Sequence, residues 1–94
     1  MKPYRLVVID WVDSSSTGKA WRGIDEFGPE ASSPLQCRTV GYVLASTKKA
    51  MTLAMNLGYE AGKIPHSAGG DINIPRCSII RVQLIKQKLP GPRS

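Results

Sequence analysis

Metal-ligating side chains are scarce in this chain: Cys37 and Cys77 stand forty positions apart and His66 is the sole histidine. A structural zinc site needs about four soft ligands and usually a C-x-x-C pair, and neither is present. No metal or other cofactor is therefore expected. Each cysteine falls in or beside a strand pattern, where a free thiol packs as a small hydrophobe, and nothing in the sequence demands a disulfide. Apolar runs are short as well, and none approaches the ~20 residues of a membrane helix. The opening MKPYRLVVIDW is interrupted by Arg5 and Asp10 and is followed by no small-residue cleavage site. It reads as a first strand and not as a signal peptide, so a cytoplasmic protein without a membrane partner is expected.

Acidic residues are the third shortage, seven against thirteen Lys and Arg, and the imbalance is uneven. Residues 1–35 carry four cations and five acids, a net of −1, whereas residues 36–94 carry nine cations and two acids, a net of +7. Such a surface either solubilises the protein or attracts an anion: a nucleotide, a nucleic acid or an acidic protein. The 94 residues make one domain, spanning 1–88, with LPGPRS at 89–94 as a tail that cannot join a sheet.

Strand patterns dominate what is there. The stretch INIPRCSIIRVQLI (72–85) alternates at Ile72 and Ile74, breaks at Pro75, and alternates again through Ile80, Val82 and Leu84 with Arg81 on the other side. A strand, a one-turn break and a second strand form the closing corner of a small β-barrel. Residues 4–12, YRLVVIDWV, form the next clearest strand, and CRTVGYVLA (37–45) another, with Gly41 marking a bulge or a close backbone approach. Residues 13–36 are too broken for a helix and too long for a hairpin turn. Trp21 and Phe27 are expected to pin this loop back onto the barrel. Two readings stay open for Ser46 to Tyr59. Met51, Leu53, Met55 and Leu57 alternate as in a strand, yet a Ser46 or Thr47 cap, the Ala50/Leu53/Ala54/Leu57 stripe and Gly58 fit a helix. The expected fold is mostly β: a small SH3-like or Sm-like five-stranded barrel with a long first loop, residues 46–58 being its one candidate helix.

Catalytic constellations are missing. STGK in SSSTGKAW (14–21) has the end of a phosphate-binding loop, but Asp13 stands where the first glycine belongs and Ala20 replaces the magnesium-binding hydroxyl. What survives is a polar loop with Lys19 and two indoles, able to stack a base and neutralise a phosphate, or simply to cover the core. His66 sits in the Gly-rich EAGKIPHSAGGD (60–71) with no acid nearby except Glu60 and Asp71. Asp10 and Asp13 point to opposite faces of a strand and make no carboxylate pair. An enzyme is not expected. The basic surface comes from Arg38, Arg76, Arg81, Lys48, Lys49, Lys63 and Lys86. Candidate ligand contacts are Trp11, Asp13, Ser14, Ser15, Thr17, Lys19, Trp21 and Arg22 of the first strand and loop, with His66, Arg76 and Arg81.

Three segments carry a resemblance: VVIDWVDS (7–14), CRTVGYVLA (37–45) and INIPRCSIIRVQL (72–84). The chain resembles a loosely defined group of small uncharacterised proteins of bacteriophages and prophages. Its final segment is also similar in layout to the second motif of Sm-like RNA-binding proteins, with Pro75-Arg76 in place of the Lys-His pair that bacterial members use for RNA. The resemblance implies action by binding inside a bacterial host cell. One expectation is an anionic small molecule, such as a nucleotide signal of host defence that the protein sequesters. A host protein or a nucleic acid is the alternative partner. A homo-oligomer is expected from exposed barrel edges and the Ile79/Ile80 pair.

Overall fold

The computed structural model describes residues 4–14, 21–28, 33–60, 62 and 64–87. Five antiparallel strands form one sheet: β1 Leu6–Asp13, β2 Leu35–Ser46, β3 Ala50–Gly58, β4 Ser67–Pro75 and β5 Ile79–Ile85, in the spatial order β4-β3-β2-β1-β5. Short 3₁₀ turns at Ile24–Glu26 and Arg76–Ser78 complete the elements among the described residues. No helix there is long and apolar enough to cross a membrane.

The connection between β4 and β5 determines the shape of the sheet. These strands lie on opposite edges, about 19 Å apart if five strands were laid flat at ~4.8 Å spacing. Yet only Arg76–Ser78 join them, in a 3₁₀ turn that advances about 2 Å per residue. The sheet must therefore curl until one corner of each edge strand meets. Pro75 makes the break: its φ of −60° and missing N–H end β4, and the chain turns at once into β5. Arg76 holds the corner. Its backbone N–H donates to Lys49 O at 2.9 Å, its Nε to Thr47 O at 2.9 Å and its Nη2 to Ser46 Oγ, tying the turn to the β2–β3 hairpin. The sheet is curled but not closed. β4 pairs with β3 and β5 with β1, and the two edges do not pair with each other.

The concave face holds a small core of Val7, Ile9, Met51, Leu53 and Ile74, with Trp11, Val43, Ile72 and Ile79 packed around it. Alternation explains this set: Val7 and Ile9 are two apart on β1, Met51 and Leu53 on β3, and Leu53 and Met51 face Ile72 and Ile74 across β4. Residues 50–58 are thus a strand paired on both sides, and burial in an alternating pattern overrides their helical propensity. Thr47 does not cap a helix. Its Oγ1 accepts the N–H groups of Lys49 and Ala50, both at 3.2 Å, and so closes the hairpin turn.

One expectation is corrected. Trp21 is 93% exposed and Phe27 is also exposed, so neither pins the loop to the sheet. That segment folds on itself instead: Arg22 lies 4.3 Å from the Phe27 ring centroid and donates to Glu26 O at 3.1 Å. Val82 and Leu84 do lie on the core-facing side, opposite Ile9 and Val7, but they remain 41% and 61% exposed. The concave face is uncovered along β5 because no further element packs there among the described residues. Cys37 and Cys77 are both free thiols.

Gly41 marks a close approach and not a bulge; the irregularity in β2 falls between Val43 and Ala45. A Cβ at Gly41 would lie 3.0 Å from Ala54 O and 3.1 Å from Leu53 Cβ, both on buried residues of β3. Gly41→Ala is expected to destabilise the fold by about 1–3 kcal/mol through overpacking. Urea denaturation followed by circular dichroism measures this; an unchanged midpoint would show that the strands separate freely at this point.

Candidate anion-binding cleft

Register brings the principal charged cluster together. Asp10 projects from β1 on the face opposite Val7 and Ile9, and its cross-strand partners are Arg38 on β2 and Arg81 on β5. Side chains directly opposite in antiparallel strands lie within about 5.5 Å at Cβ, so one carboxylate is flanked by two guanidinium groups. Arg38 grips it with both arms, Nε to Oδ1 at 2.6 Å and Nη2 to Oδ2 at 3.3 Å, while Arg81 Nη2 donates to Oδ2 at 3.1 Å. The Asp10 side chain is only 21% exposed, whereas both arginines are largely exposed.

Immediately beyond Asp10 the β1–β5 pairing shifts, with Trp11 opposite Ile79, so Ile80 is an extra residue on β5. The bulge opens a cleft of about 560 Å³ lined by Asp10, Trp11, Gln36, Cys37, Arg38, Ile80 and Arg81. Trp11 Nε1 donates to Thr39 Oγ1 at 2.9 Å, which holds the indole in place. The cleft therefore offers Ile80 as an aliphatic wall and two guanidinium forks against one carboxylate, a net charge of +1 among its lining residues, while the Trp11 indole is held on the core face with Val7 and Ile9. Planar forks of this kind recognise carboxylate and phosphate oxygens in pairs. Among the described residues no three of His, Cys, Asp and Glu gather to hold a metal ion.

The other candidate contacts lie apart. Trp11 and Arg81 meet in the cleft, but Asp13 ends β1, where its Oδ1 accepts the N–H of exposed Ser14 at 2.8 Å. Ser15, Thr17 and Lys19 lie outside the described residues, as does Lys63. Trp21 and Arg22 belong to the self-folded loop, and Arg76 is drawn into the β4–β5 corner. His66 precedes β4, its Nδ1 3.0 Å from Gly58 O and its Nε2 3.6 Å from Glu60 Oε2. It lines a second cleft of about 240 Å³ with Tyr4, Leu44, Leu57 and Pro65, which shares no residue with the first. The pairing of Asp10 with Arg38 escaped the sequence because it depends on the β1–β2 register, and a long loop separates those strands. Searches against protein-family profiles, curated proteins and solved structures returned no match for the chain.

The Arg38 hydrogen bonds hold the Asp10 carboxyl below its ordinary value; partial desolvation opposes them, and the Arg81 bond adds to the lowering. Arg38 is raised in turn, chiefly by its bonds to Asp10. A carboxyl lowered on folding contributes stability that is complete above its unfolded pKa of about 3.9 and is lost as pH falls through the lower folded value. Asp10→Asn should therefore lower Tm at pH 7 relative to the native chain, and the gap should narrow from about pH 4 downward. Thermal melts across pH 2–7 test this; a gap that stays constant to pH 2 would show that the charge on Asp10 contributes nothing.

Proposed function

We propose that this chain is a non-enzymatic binding protein that holds an anionic ligand of nucleotide size in the cleft between Arg38 and Arg81. The observation that carries this reading is the pair of guanidinium groups sharing a single carboxylate at the cleft opened by the β5 bulge. The cleft volume of about 560 Å³ falls in the usual range for small-molecule sites, roughly 300–1,000 Å³. Ile80 offers apolar contact to a base, and the forks suit phosphate oxygens. The curled sheet, with its proline-broken corner, fits an SH3-like or Sm-like barrel open along β5. Together with the resemblance to small phage proteins, this supports a role in the cytoplasm of a bacterial host as a sponge for a nucleotide defence signal. An RNA-binding role is less favoured, since Arg76, which stands in the Sm-like RNA motif, is bonded into the corner turn.

Titration calorimetry against cyclic dinucleotides, ADP-ribose and inorganic pyrophosphate tests the proposal. At least one should bind, Arg38→Ala and Arg81→Ala should each weaken it by about tenfold or more, and Asp10→Asn should tighten it at low salt. Absence of binding to all of them at millimolar concentration, with the chain folded, would overturn it.

A second reading, inhibition of a host protein, is favoured by one observation: Trp21, Ile24 and Phe27 all stand exposed on the segment around the first 3₁₀ turn. Three large apolar side chains at one loop are typical anchors of a protein interface. If it holds, tagged native chain retains one stoichiometric host protein and a Trp21→Ala/Ile24→Ala chain does not; equal capture by both excludes it.

A further inference from the structure

We infer that β5 is a self-pairing edge, and that two copies of this chain join antiparallel about Val82 to form a two-fold dimer with a continuous ten-stranded sheet. Among the described residues β5 is paired with β1 alone, so its outer edge carries unpaired backbone groups. The strand lacks the usual protections of a free edge. Ile79–Ile85 contains no proline and no lysine, and its one charged residue, Arg81, points to the face away from the core. The opposite edge is guarded: β4 ends in Pro75, carries Asp71 and is bent at Gly70, whose φ is +66°.

Self-complementarity selects the second copy as occupant. With Val82 on the axis, Val82 faces the partner's Val82 on the core side, and the regular pairing runs from Arg81 to Gln83, stopping at the bulge residue Ile80. Arg81 then lies opposite the partner's Gln83, an acceptor and not a like charge. Moving the axis by one residue either way, a two-residue shift in register, places Arg81 opposite the partner's Arg81 or opposite the partner's Ile85. The first sets like charges face to face and the second buries a guanidinium against an aliphatic side chain. The favoured register also sets a neighbouring strand beside Val82 and Leu84, the exposed core-side residues of β5. It extends the charged row on the other face, since the partner's Gln83 falls next to Arg81 at the rim of the cleft. An isologous contact of this kind closes at two copies.

Sedimentation of the full chain at about 50 µM should give a mass near twice 10.2 kDa. Val82→Lys puts two ammonium groups on the axis and should yield a monomer with an unchanged far-UV spectrum. In a chain carrying Cys37→Ser and Cys77→Ser, Val82→Cys should form a disulfide-linked dimer under mild oxidation, whereas Gln83→Cys should not, because position 83 faces position 81. A monomeric native chain, a larger ring, or a dimer that survives Val82→Lys would each overturn the inference. None of these outcomes bears on the anion cleft, whose calorimetry can be run on the monomeric variant.

Discussion

Three residues join the two edges of the sheet, and most of the architecture follows from that short span. A flat five-stranded sheet cannot be bridged by Arg76–Ser78, so curvature is a condition of the chain's connectivity. Curvature in turn creates a concave face narrow enough for Val7, Ile9, Met51, Leu53 and Ile74 to meet. Such a core is small, and a domain of this size has little surplus stability. The bonds from Arg76 to Lys49, Thr47 and Ser46 matter for that reason: they lock the corner from which the curl propagates.

The same geometry has a local cost at β5. Curling brings the β4–β5 corner together but leaves the rest of the two edges apart, and β5 covers β1 without being covered itself. The bulge at Ile80 eases the strand around the corner and, by separating Trp11 from Asp10 on the β5 side, opens the cleft. The cleft, the exposed apolar side chains of β5 and the free edge are thus three results of one constraint, and they sit beside one another because of it.

Much of the fold was legible along the chain, since alternation is a local signal. Val7 and Ile9, Ile72 and Ile74, and the break at Pro75 announce strands and a corner from residue type alone. Residues 46–59 were ambiguous for a physical reason: the Thr47 hydroxyl accepts two backbone N–H groups in the hairpin turn, the same chemistry that starts a helix. The site was far less legible. Arg81 and Trp11 stood out by type, but the grouping of Asp10 with Arg38 and Arg81 is a property of register, and register between β1 and β2 is hidden by the loop between them. Trp21 and Phe27 misled because an aromatic residue in a polar loop has the same sequence signature whether it anchors the loop or displays itself.

Asp10 has a bearing on which anions the two arginines could accept. A carboxylate already tethered between the guanidinium groups acts as a built-in competitor, present at an effective concentration no free ion matches. Chloride or acetate, with one negative charge apiece, has little to add against it. A phosphate or diphosphate brings more charge and more acceptor oxygens, and can share the forks with Asp10 without displacing it. For the anion site proposed above, the resident acid would work as a valence filter, weakly responsive to the monovalent salts around the protein and more responsive to denser charge.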